Sequence, residues 1–100
     1  MPNIKIIIEH QLEKNDAKEK IKNLLTNLKE EFKDKISNVT ETWSDYSSNF
    51  SFKVMGMPVK GDLFVENTLV KLYSKIPLAA FPFKKAIIST IKKEAEKLLK

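Results

Sequence analysis

His10 is the one histidine in the chain, and imidazole chemistry needs companions, either a nucleophile beside a base or a second metal ligand. None stands at a supporting spacing. Its parity with Ile6 and Ile8 puts it at the inward edge of a strand. There a hydrogen-bonded, partly buried histidine is favoured over a ligand or proton-transfer role. The carboxylates Asp16, Glu19, Glu30, Glu31 and Asp34 alternate with lysines, as on a solvated helix face, so a catalytic acid/base pair is a poor reading. Gly56 and Gly61 are the only glycines, too few for a loop that cradles phosphates. Cysteine is absent, which excludes disulfides, thiolate metal sites and cysteine nucleophiles. No catalytic residue, metal site or cofactor follows, and the expectation is a protein that is not an enzyme.

Two surfaces remain. Lys53, Met55, Lys60, Phe64, Leu69, Lys71 and Tyr73 share the outward parity of a sheet. Aromatics between lysines could stack nucleic-acid bases. An open face carrying Phe64, Leu69 and Tyr73 more often dimerises or is covered. The second surface is residues 76–83, Ile-Pro-Leu-Ala-Ala-Phe-Pro-Phe, which carry no charge before Lys84. Such a segment either tucks beneath the following helix or forms an apolar tip that meets a hydrophobic surface. In the second case Ile76, Leu78, Phe81 and Phe83 would make the contact, with Lys84 and Lys85 drawing in an anionic surface.

The elements that must position these groups follow from apolar spacing. Ile4, Ile6 and Ile8 alternate with polar residues as in a strand with one buried face. Asp16 and Glu19 have capping-box spacing. Ala17, Ile21, Leu24, Leu25, Leu28 and Phe32 recur at three- and four-residue steps, which predicts a helix over residues 16–35. Val39 to Trp43 reads as a strand, followed by a loop from Ser44 to Asn49. Phe50, Phe52 and Val54 lead through a turn at Gly56, Met57 and Pro58 to Val59, Gly61, Leu63 and Val65, a hairpin. After a turn at Glu66 and Asn67, Val70, Leu72, Ser74 and Ile76 alternate until Pro77. Pro82 then starts a helix whose stripe is Ile87, Ile88, Ile91, Ala95, Leu98 and Leu99. The predicted fold is α+β, a two-layer sandwich in βαββββα order, with two helices on one face of a mainly antiparallel sheet.

With 100 residues, 42% hydrophobic and 31% charged, the chain suits one domain, residues 1–100, with an ordinary globular composition. No stretch approaches the ~20 apolar residues that span a bilayer, nor is there a cleavable leader, so a cytoplasmic location is expected. The net charge of +5 comes from lysine alone, without arginine, which is weak support for specific recognition of phosphates or bases.

Taken in order, Ile6, Ile8, His10 and Leu12 at the start, Ala17 and Ile21 in the first helix, and Trp43 closing the second strand form one pattern. Gly61, Leu63 and Val65, the Val70 and Leu72 strand, and Pro82, Phe83, Lys84 and Ile87 entering the last helix complete it. In this it resembles the polyhydroxyalkanoic acid system proteins, a bacterial family also described as granule-region proteins. The resemblance implies a link with storage-polyester granules. It carries no catalytic residues to this chain. The functional expectation is a non-enzymatic accessory protein at a granule surface or on a granule-associated protein. The alternatives are a nucleic-acid module using the open sheet face, or a binder of a small apolar ligand between sheet and helices.

Overall fold

The structure, a computed structural model, describes residues 3–100. Five strands, β1 (Asn3–Glu9), β2 (Ile36–Ser44), β3 (Ser47–Val54), β4 (Met57–Val65) and β5 (Leu69–Lys75), form one sheet in the order β1-β5-β4-β3-β2. Every neighbouring pair is antiparallel. Alternation along β1 sends Ile4, Ile6 and Ile8 into the core and Lys5 and Ile7 to the other face. The α+β expectation holds, with the helical elements on the buried face.

Where the sequence predicts one helix over residues 16–35, two short ones form, α1 (Lys14–Ile21) and α2 (Leu24–Glu31). At the break the Asn23 amide bonds back to Lys20 O, three residues away, which tightens the turn and re-aims the axis. Ile21, Leu24, Leu25 and Leu28 stay buried across the break, so one apolar stripe serves both helices. Asp16 lies in the first turn of α1 and caps nothing. The predicted loop from Ser44 to Asn49 is instead a two-residue turn, Asp45 and Tyr46, with Ser47 already paired to Ser44. Asp45 has φ 51°, a conformation its short polar side chain tolerates.

The β3–β4 turn is Met55-Gly56, with φ 52° and 83°, and not Gly56 to Pro58. Both residues are left-handed, as a twist-matched two-residue hairpin requires. Pro58 lies in β4 opposite Lys53, but β4 meets β5 only from Lys60 onward, so its missing amide proton is not needed by a neighbour. A Cβ on Gly61 would lie 2.5 Å from Phe50 Cζ and close against the Tyr73 carbonyl oxygen. Glycine is therefore what lets the Phe50 ring cross β4.

A 3₁₀ segment (Leu78–Phe83) follows β5, and Pro82 lies within it. The last helix, α3 (Lys84–Leu98), begins two residues after that proline. Ala95 and Leu99 are buried, whereas Ile87, Ile88 and Ile91 are only half-buried. The helix is thus seated firmly at its C-terminal end and less so at its start.

Candidate functional site

The 3₁₀ segment is an apolar tip. Ile76 just before it and Ala80 within it are buried, and these two anchor it to the core. A three-residue period then places Leu78, Phe81 and Lys84 along one outward line. Leu78 is 75% exposed, Phe81 51% and Phe83 60%. Lys84 Nζ lies 5.7 Å from the Phe81 ring centroid, a cation over an aromatic face. Lys85, Lys92, Lys93 and Lys97 continue a solvated basic face along α3. Of the candidate contact residues Ile76, Leu78, Phe81, Phe83, Lys84 and Lys85, the structure corrects Ile76, which is core and touches no solvent.

Met55 has the outward parity of the sheet in the sequence, but parity gives no sign of its place beside this tip. The structure puts it in the hairpin turn, 71% exposed and in a left-handed conformation that β-hairpins normally give to Asn, Asp or Gly. Its amide donates to Lys35 O at 2.7 Å, which ties the turn to the segment following α2. Met55, Lys35 and Phe83 together border a cavity of about 370 Å³ between the sheet and α3. A methionine in a strained turn, facing water beside an exposed phenylalanine, breaks a local rule where a functional surface would.

His10 lies away from this end. Its Nε2–H donates to Glu66 O at 3.0 Å, and its Nδ1 accepts the Leu12 amide at 3.1 Å. A carbonyl can only accept and an amide only donate, so these neighbours fix the neutral tautomer. With the His10 amide bonded to Thr68 O, the residue staples the end of β1 to the β4–β5 turn. Among the described residues no group of three or more His, Cys, Asp or Glu side chains could hold a metal ion.

On the open sheet face Phe64 and Tyr73 meet edge to face with ring centroids 6.0 Å apart, and Lys5 approaches the Tyr73 ring at 5.8 Å. Leu69 is half-buried at one side of them. Carboxylates are interleaved here: Asp62 pairs with Tyr73 in register, and Glu66 lies 3.0 Å from Lys71 Nζ. The Glu66 carboxylate holds the Lys71 ammonium above the ordinary lysine value.

A row of lysines with the alternation of a solvated helix face covers two aromatics. Lys14 lies 4.1 Å from the Tyr46 ring centroid, Lys18 5.4 Å from Tyr46 and 5.9 Å from Trp43, and Lys22 5.8 Å from Trp43. Four-residue spacing on α1 aligns them, and their stems shield the rings. The nearby Glu41 carboxyl is pushed up by burial, while the Trp43 indole N–H and Lys22 pull the other way. Among the described residues the buried Trp43 Nε1 has no acceptor at hydrogen-bond geometry, and Ser48 Oγ across the strand pair has no partner.

The family model described as "Putative polyhydroxyalkanoic acid system protein" matches residues 4–99. The chain belongs to this family. The match runs from the first core isoleucine, Ile4, to the buried Leu99, so it takes in the sheet, the tip and all three helices. No curated protein and no solved structure matches the chain. Among the described residues no helix is long and apolar enough to cross a membrane.

Proposed function

We propose that this family member is a non-enzymatic accessory of the polyhydroxyalkanoate system that adsorbs to the hydrophobic surface of the storage granule in the cytoplasm. The observation that carries the reading is the outward line of Leu78 and Phe81, extended by Phe83, on a segment anchored by Ile76 and Ala80. Three large apolar side chains within six residues, held out by a rigid 3₁₀ turn, are unfavourable in water and are relieved on an apolar surface. Lysines flank the tip along α3, so a surface bearing carboxylate end groups adds attraction at low ionic strength.

Adsorption of this kind is reversible. A single fourteen-carbon acyl chain gives only marginal membrane attachment, and the exposed parts of these three side chains offer no more apolar surface than that, so retention depends on the large granule area or on several copies. The test is sedimentation with amorphous polyester particles at low and high salt, beside an oligonucleotide titration. Apolar adsorption survives high salt, whereas lysine-to-phosphate binding falls steeply because each contact releases counterions. Salt-sensitive oligonucleotide binding without particle binding would replace this reading with nucleic-acid recognition by the sheet face. Particle binding only when granule proteins are already present would place the contact on protein.

A further inference from the structure

We propose that the cavity behind the tip is a binding site for a single-chain amphiphile, an unbranched alkyl chain of about nine or ten carbons with a carboxylate head held by Lys35. This goes beyond surface adsorption and does not rest on it, because it uses the inner walls of the fold. The cavity measures about 370 Å³, within the range of small-molecule sites. Its lining is apolar except for Ser74 and Lys35. The Ser74 hydroxyl is already committed to Lys60 O at 3.0 Å. Interiors seldom keep voids much larger than a water, and apolar walls offer water no partners. An apolar occupant is what such walls recognise.

The geometry sets the size of that occupant. The exposed Phe83 and the half-buried Ile91 both border the cavity, eight residues or about 12 Å of chain apart along the start of α3. An extended alkyl chain with C–C bonds of ~1.5 Å advances about 1.25 Å per carbon, so nine or ten carbons fill that length. Beyond Ile91 the buried Ala95 seats the helix against the core and is no longer part of the lining. A second hollow of about 200 Å³ shares Lys35, Phe52, Val54, Ile87 and Ile91 with the first. The start of α3 therefore has room to shift as a chain enters.

The mouth sets the head group. Lys35 is the one charged residue of the lining, is exposed, and has no carboxylate within ion-pair distance among the described residues. Met55 is tied to it by the bond from its amide to Lys35 O, and both residues border the cavity. An anion there matches the one charge of the lining while the chain passes inward, past Met55 and Phe83.

The probe is decanoate below its micelle concentration, followed by methyl NMR of the full chain with labelled isoleucine and leucine, beside decanol and decyltrimethylammonium. Decanoate should shift the Ile87 and Ile91 methyls with sub-millimolar affinity, and decyltrimethylammonium should not bind. Ile91→Phe and Ile87→Phe fill the space and should abolish these shifts while keeping or raising the melting temperature. Lys35→Gln should weaken decanoate about tenfold and leave decanol unchanged. Leu78→Ser/Phe81→Ser should retain decanoate binding even where particle adsorption is lost, so the two readings fail separately. Absence of Ile87 and Ile91 shifts at millimolar decanoate, shifts confined to Leu78, or undiminished binding in both filled variants would overturn the site. A preference for decanoate over decanol that survives Lys35→Gln would overturn the role of Lys35.

Discussion

Replacing Leu78 and Phe81 together by serine removes the outward line of the tip and leaves its anchors, Ile76 and Ala80, in place. Burying a large apolar side chain completely is worth about 1.5–3 kcal/mol. Only the exposed part can be gained on adsorption, 75% of Leu78 and 51% of Phe81, so the pair supplies about 2–4 kcal/mol. At 1.4 kcal/mol per factor of ten, the variant should bind polyester particles about 20- to 500-fold more weakly. The loss should persist at ~1 M salt, where the Debye length is about 3 Å and exposed lysines contribute little. Folding loses about half as much, because the buried half of Phe81 and the buried quarter of Leu78 together account for about 1–2 kcal/mol, a fall of about 4–16 °C in Tm. Sedimentation of particles with bound and free protein quantified, alongside circular dichroism melts, reads both effects. Undiminished adsorption by the folded variant would refute the reasoning. So would adsorption of the unmodified protein that disappears at high salt, since charge alone would then hold it.

Gly61→Ala should cost about 1–3 kcal/mol, toward the upper end because the new methyl meets the Tyr73 backbone as well as the Phe50 ring; thermal melts should show Tm lower by about 10–20 °C. Met55→Asn should stabilise the fold by about 1 kcal/mol, because Asn-Gly suits the left-handed turn and the largely exposed methionine gives up little burial; a lower Tm would show that its side chain holds the mouth together. For Glu41 the folded carboxyl is raised, so its stabilising contribution is present below the ordinary glutamate range and lost as pH rises through the folded value. Glu41→Gln should therefore raise stability at pH about 7, by no more than about 0.5 kcal/mol for so exposed a group, with the gain vanishing at pH about 3 in melts across pH. His10→Gln cannot reproduce both ring hydrogen bonds and should lower stability by about 1–2 kcal/mol in denaturant titrations, with particle adsorption unchanged.

What the sequence alone determines here is whatever depends on period and on residue type. Alternation of Ile4, Ile6 and Ile8, and of Val70, Leu72 and Ser74, is legible because an antiparallel sheet with one open face forces a two-residue period. The uncharged run before Lys84 likewise marks the tip by composition. The same signals are silent where a period does not change. The apolar stripe runs unbroken through Lys22 and Asn23, so the division of α1 from α2 leaves no mark in spacing. Ser47, Ser48 and Asn49 have loop chemistry, yet pairing with β2 and β4 makes them strand, and Ser48 is buried by its neighbours. Only tertiary structure decides which members of residues 76–83 are core: Ile76 and Ala80 turn in while Leu78, Phe81 and Phe83 turn out, as a 3₁₀ turn seated on the end of the sheet dictates. The cavity is the clearest case. Ile87 and Ile91 have the same helical spacing whether they fill the core or stand half-buried above it. That spacing records the direction of a side chain and carries no information about the distance to the opposite wall.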